Sequence, residues 1–237
     1  MAPSLLITRP SPDDVEFARD ARHVLGAEVP VVRAPLIEIE PLAIPDPGDA
    51  MSLILTSKHA LFAAPLGLPL WVVGPKLGAL ARAAGHDLRH VAPDAAHLLD
   101  HFKHAPPPTP ALHLHGNHMA CDVAAALRAM GHAALDHAVY HQHQRPLTAE
   151  ARTLLEGETA VILPLFSPRT CHIFFQDAAA RAPLVVLALS NAVAARVPRG
   201  AARAVIVADR PDAEAMLMAL PAAWEIAKRV EGENSPQ

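Results

Sequence analysis

One short pattern occurs twice in this chain, and it restricts the folds open to it. Leu53-Ile54-Leu55-Thr56-Ser57-Lys58 is an apolar run that stops at a hydroxyl pair followed by a cation. Ala160-Val161-Ile162-Leu163-Pro164-Leu165-Phe166-Ser167-Pro168-Arg169 has the same plan. An apolar run of this length with a polar exit suits a strand covered on both faces. Ser57 then has the side chain of a helix N-cap, and residues 58–64 have helix-forming composition up to Pro65. After Ser167 a helical stretch is expected through Phe174 and Phe175. Each copy therefore reads as a βα unit.

Ser57 and Ser167 are 110 positions apart, and the flanks repeat at similar spacing. Trp71-Val72-Val73-Gly74 corresponds to Val186-Leu187-Ala188-Leu189-Ser190, Pro93-Asp94-Ala95 to Pro211-Asp212-Ala213, and Leu5-Leu6-Ile7-Thr8 to Leu112-His113-Leu114-His115. Two similar halves of roughly 110 residues follow, a period too long for a solenoid and suited to a duplicated small domain.

Taken in order, the chain predicts a strand at 5–8, a helix at 12–25 ended by Gly26, a strand at 29–32 and an extended connector at 36–42. After the proline-rich stretch 41–47 come strands at 53–56 and 70–73 and helices at 76–84 and 95–101. His104-Ala105-Pro106-Pro107-Pro108-Thr109-Pro110 is a linker between the halves. A strand at 111–115, a helix at 119–130, an extended connector at 139–146 and a helix at 148–155 follow. The last elements are strands at 160–165, 184–189 and 204–207 and a helix at 212–220, with residues 231–237 an irregular polar tail.

Strands alternating with helices give an α/β fold with parallel sheets. Ligands of such sheets sit beyond the carboxyl ends of the strands. The strand-end positions are Thr8-Arg9, Thr56-Ser57-Lys58, Gly74-Pro75-Lys76, Gly116-Asn117, Ser167-Pro168-Arg169 and Ser190-Asn191. Four of these six groups carry Lys or Arg in a chain of net charge −4. With the N–H donors of helix N-termini they suit carboxylates or phosphates. The acidic balance argues against general binding of nucleic acid or an anionic membrane, and no apolar run has the length of a membrane span. Cys121 and Cys171, the only two cysteines, read as reduced, buried thiols of a cytoplasmic protein.

Plainer readings stand beside these. Ser57 and Ser167 also suit simple helix caps, Tyr140 a half-buried strand residue, and Lys58, Lys76 and Arg169 solvated charges. Of the 15 histidines, His113 and His115, or His141 and His143, share a strand face, with His118 and His137 as neighbours. No cysteine or carboxylate pattern accompanies them, so no metal is assigned, and a histidine-based metal binder stands only as a further alternative reading.

In this order, Leu5-Leu6-Ile7-Thr8-Arg9-Pro10, the run 53–57, Val72-Val73-Gly74, Gly116-Asn117, Val139-Tyr140, Phe166-Ser167-Pro168 and Pro211-Asp212 resemble the uroporphyrinogen-III synthase family over nearly the whole chain. The resemblance implies two flavodoxin-like parallel-sheet domains joined by a two-stranded connector, each built around βα repeats. One domain takes residues 1–38 and 145–237, the other 44–140, with connectors at about 36–43 and 139–146 and the active site in a cleft between domains.

The implied reaction is cyclisation of hydroxymethylbilane to uroporphyrinogen III, with inversion of ring D, loss of water and no cofactor. The implied partner is that small-molecule substrate, with hand-over from the deaminase that makes it; separately, the lack of an obvious apolar surface stripe in the sequence suggests a monomer. Tyr140 takes the place of the family's tyrosine, suited to general acid catalysis. Arg9, Ser57, Lys58, Gly74, Lys76, Gly116, Asn117, Ser167, Arg169, Ser190 and Asn191 fall at the substrate-binding strand ends. The family's Gly-x-x-Thr-Ala pattern is replaced by Gly74-Pro75-Lys76-Leu77-Gly78 and Ser190-Asn191-Ala192-Val193-Ala194, so both threonines are missing. An arginine common early in the helix after Gly116 is also missing. These departures open a second reading, a non-catalytic tetrapyrrole or polyanion binder.

Overall fold

The computed structural model describes residues 2–177 and 179–234. The chain divides into two compact α/β units, residues 1–38 with 143–237 and residues 39–142. It begins with β1 (Ser4–Ile7), α1 (Asp13–Leu25), β2 (Val31–Arg33) and β3 (Ile37–Pro41). The central part runs β4 (Ser52–Leu55), a 3-10 turn (Lys58–Ala63), β5 (Pro69–Val73), α2 (Pro75–Ala83), β6 (Asp87–Ala92), α3 (Ala95–His104), β7 (Ala111–Gly116), α4 (Val123–Ala129) and β8 (Ala134–Gln144). The last part is α5 (Ala149–Glu156), β9 (Val161–Leu165), α6 (Pro168–Asp177), β10 (Leu184–Ala188), α7 (Asn191–Ala194), β11 (Ala204–Val207) and α8 (Ala213–Asn234).

The first unit is a five-stranded sheet in the order β11-β10-β9-β1-β2, every neighbouring pair parallel. Counted along the unit's own strands this is 2-1-3-4-5, the flavodoxin-like order. All residues of β9 and β10 are buried, as expected of a parallel sheet covered on both faces. One face packs Leu5, Ile7, Ile162, Val185 and Leu187 against Phe17 and Ala21 of α1 and Met216, Leu220, Ala223 and Ala227 of α8. The last four recur at helical spacing, one stripe of α8.

The second unit has the sheet order β3-β8-β7-β4-β5-β6, and β4 to β8 read 3-2-1-4-5, the other doubly wound order. Its strands alternate cleanly between two cores. Leu53, Leu55, Leu70, Val72, Leu112 and Leu114 enter one, while Ile54, Trp71 and Ala111 enter the other with Leu98 and Phe102 of α3. Each large apolar side chain buried this way contributes roughly 1.5–3 kcal/mol. The β3 ribbon meets β8 through Leu42 N–H to the Val139 carbonyl at 2.8 Å.

Several elements differ from the sequence reading. The helix expected after Ser57 is a six-residue 3-10 turn, because Pro65 forces Ala64 into extended backbone and leaves too few residues for an α-helix. An unanticipated edge strand, β6, carries Asp87 and Arg89, joined by an ion pair at 2.7 Å; charge on an edge blunts unwanted pairing and hides the strand pattern. The helix expected at 119–130 begins only at Val123, where Asp122 Oδ1 caps the N–H of Ala125 at 2.8 Å.

Instead of stopping at Leu220, α8 passes through Pro221 to Asn234. A proline inside a helix costs about 3 kcal/mol, and the burial of Ala223 and Ala227 in the core offsets it. Residues 231–234, expected to be irregular, are thus helical, and 235–237 lie outside the described residues. Among the described residues no helix is long and apolar enough to cross a membrane.

Candidate active site

The strand orders locate one switch point in each unit, where neighbouring connections leave in opposite directions and a crevice opens at the carboxyl ends. In the second unit it lies between β4 and β7. Thr56-Ser57 leaves β4 there, Gly116-Asn117 ends β7, and Tyr140 lies opposite Gly116 on β8. A cavity of about 310 Å³ opens at this point, lined by Thr56, Ser57, His115, Gly116, Tyr140 and Gln142 together with the loop after Asn117. That volume is at the lower end of the small-molecule range of about 300–1,000 Å³.

Each of these groups is held locally. Ser57 Oγ accepts the His59 N–H at 3.3 Å, which fixes the 3-10 turn and leaves the hydroxyl proton to donate. The Asn117 N–H donates to the Tyr140 carbonyl at 3.0 Å, and Asn117 Oδ1 accepts the Gln142 N–H at 2.9 Å. Asn117 therefore locks β8 onto the end of β7. Tyr140 is almost wholly buried, with the His59 ring against it edge-on at 5.8 Å between centroids.

In the cavity wall, Thr56 Oγ1 is hydrogen-bonded to His113 Nε2 at 3.2 Å, and His115 Nδ1 donates to the Gly116 carbonyl at 2.7 Å. Burial, and then the neighbouring His115, push the His113 pKa down to about 4. His115 Nε2 lies 3.7 Å from Asp136, whose carboxyl Arg128 holds below its ordinary range.

The first unit has its switch point between β1 and β9. Arg9 leaves β1 and lays its guanidinium over the Phe166 ring at 3.9 Å, with Nη2 donating to Asp13 at 3.0 Å. Burial draws its pKa below the ordinary arginine value, and Asp13 opposes the shift. Ser167 Oγ caps α6 by accepting the Thr170 N–H at 3.0 Å, while the Thr8 hydroxyl and Arg169 Nε are buried with no hydrogen-bond partner among the described residues. Ser190 stands at the start of α7, its side chain making no capping bond among the described residues.

Of the residues expected from sequence, Ser57, Gly116 and Tyr140 meet at one cavity, and Asn117 braces it. Lys58, Gly74 and Lys76 belong to the same unit but do not line that cavity. Arg9, Ser167, Arg169, Ser190 and Asn191 belong to the strand ends of the first unit. Sequence reasoning missed His115 and Gln142. The signal for His115 was its place just before Gly116 at the end of β7.

A larger groove of about 450 Å³ beside α1 contains no expected residue, and its Arg19 and Arg33 are engaged with Asp20 and Asp14. Cys121 and Cys171 are free thiols, but only Cys171 is buried as expected; Cys121, beside the cavity, is half-buried, and burial raises the Cys171 pKa to about 11. Among the described residues no cluster of three His, Cys, Asp or Glu is placed to hold a metal ion.

The family model described as uroporphyrinogen-III synthase HemD matches residues 21–218. The chain belongs to the uroporphyrinogen-III synthase family. Two solved structures share its fold. The uroporphyrinogen-III synthetase of Helicobacter pylori 26695 is 16% identical with a TM-score of 0.66, the match covering 94% of this chain and 99% of that one. A mutant uroporphyrinogen III synthase of the extremely thermophilic bacterium Thermus thermophilus is 14% identical with a TM-score of 0.58, covering 95% and 100%. No curated protein sequence gives a significant match. The α/β architecture with parallel sheets is that of the uroporphyrinogen-III synthase structures, and the family membership makes this a synthase-type enzyme acting on a tetrapyrrole-class small molecule.

Proposed function

We propose that this chain closes linear hydroxymethylbilane into uroporphyrinogen III, inverting ring D and releasing water without a cofactor. The observation that carries the reading is Tyr140, opposite Gly116 at the end of the β7–β8 pairing, lining one cavity with Ser57. A phenol there is suited to protonate the departing hydroxyl of the substrate. Orientation carries more of the task than proton transfer, because the linear substrate also closes unaided to the unrearranged isomer.

The substrate's carboxylates call for donors and cations at strand ends. Ser57, Asn117, Ser167 and backbone N–H groups near Ser190 hold propionates and acetates, with Arg9, Lys58, Lys76, Arg169 and Asn191 adding charge and donors, and Gly74 leaving its backbone open to approach. The same reading makes the protein a cytoplasmic monomer that takes its substrate from the deaminase.

Tyr140→Phe tests the role directly. The expected outcome is a fall in kcat for the type III isomer of about 10²-fold or more, with KM little changed; normal turnover would remove Tyr140 from the chemistry. The second reading, a binder without turnover, is favoured by the two missing threonines and predicts that wild-type protein binds uroporphyrinogen-like ligands and forms no type III product.

A further inference from the structure

The Tyr140 ring occupies the space that any side chain at position 116 would need. A Cβ built on Gly116 would lie 2.4 Å from Tyr140 Cε2, 2.5 Å from Cζ and 2.9 Å from the hydroxyl oxygen. The three nearest atoms all belong to the hydroxyl end of one rigid ring, which cannot yield as a flexible chain end would. Gly116 is not among the glycines at positive φ, so its backbone gives no reason for a glycine there. The ring supplies the reason.

The pairing of β7 with β8 brings the two together. His115 pairs with Ala138, and a register shift after it places Tyr140 opposite Gly116 where an unbroken ladder would put Val139. The bond from the Asn117 N–H to the Tyr140 carbonyl holds that shifted register. The His59 ring meets Tyr140 edge-on, and the Ser57 cap fixes the turn that carries His59.

From this we infer that Gly116 and His59 are positioning residues, which together seat the Tyr140 ring and set where its hydroxyl lies. The inference deepens the proposed function and rests on it for the catalytic consequence. It moves Gly116 from the substrate-binding set, where its strand-end place puts it, to the support of the general acid.

The test is Gly116→Ala, alone and combined with Tyr140→Phe, read by kcat and KM for type III product and by the spectrum of protein carrying isotope-labelled tyrosine. Tyr140 is the single tyrosine of the chain, so one set of ring resonances reports on it. Ordinary contact begins near 3.4 Å, so the new methyl must displace the ring by about 1 Å. A misplacement of about 1 Å costs on the order of 10²-fold.

The expected result is a loss of kcat of that size, an unchanged KM, shifted ring resonances and no further loss in the double variant relative to Tyr140→Phe. A raised KM with kcat preserved, additive losses in the double variant, or unmoved resonances would overturn the inference.

If Gly116→Ala does not fold, His59→Phe and His59→Ala take its place. Phe keeps the edge contact and should keep both the resonances and kcat; Ala should shift the first and lower the second. Equal losses in the two would overturn the His59 seat. If wild-type protein makes no type III product, the functional reading fails by itself, and the ring resonances still decide whether these residues seat Tyr140.

Discussion

His113 is fully buried on β7, with Nε2 bonded to the Thr56 hydroxyl and Nδ1 without a partner among the described residues. Burial first and His115 second lower its pKa to about 4, while Asp122 and Asp136 pull the other way. An unfolded histidine titrates near 6.5, so between about 6.5 and 4 the unfolded chain binds the extra proton. The folded state therefore holds this stability in full above about pH 6.5 and loses it as the pH falls toward 4, on the order of 3 kcal/mol in all. Urea unfolding of His113→Gln at pH 7 and pH 5 should give a smaller stability difference between the two than wild type gives. An unchanged difference would contradict the buried neutral His113.

The sequence placed His113 and His115 on one face of a strand by their spacing, and Ser57 and Ser167 as caps by residue type. It left Tyr140 without its neighbours, because the shift that sets Tyr140 against Gly116 belongs to a pairing of two strands and to neither strand alone.

At the scale of elements, α2 lies so close to β6 that a Cβ on Gly78 would stand 2.8 Å from Val91 Cγ2. In an open helix, Gly to Ala stabilises by about 1 kcal/mol. Here the sign reverses, and Gly78→Ala should destabilise by about 1–3 kcal/mol through overpacking. Adding Val91→Ala should recover part of the loss, and denaturant midpoints for the three variants measure both effects. A stabilised Gly78→Ala would show that β6 yields to the helix.

The buried strands were legible because parallel strands are continuous apolar runs, and β4, β9 and β10 stand close to where their composition puts them. The charged edge strand β6 lacked that signal. The late start of α4 turned on Asp122, whose capping role competes with the helix-forming residues before it, and the length of α8 turned on a core stripe that overrides Pro221. In each case tertiary packing or a single cap outweighed local propensity.

For the whole molecule, the duplicated βα pattern pointed to α/β architecture, and strand order then decided where the sites lie. Order is not written in a repeat, since the same run of units can wind as 2-1-3-4-5 or as 3-2-1-4-5, and the two units take one each. That choice puts the switch point between β1 and β9 in one unit, beside Arg9 and Ser167, and between β4 and β7 in the other, beside Ser57 and Gly116. The candidate residues were thus legible as strand ends, and their grouping was not.

On the proposed function, these strand ends serve the ring-inverting closure of hydroxymethylbilane. The most direct measurement supplies that substrate from a deaminase, oxidises the products and separates the type I and type III isomers. Type III product is expected in proportion to added protein. Type I alone, from folded protein at high concentration, would contradict it.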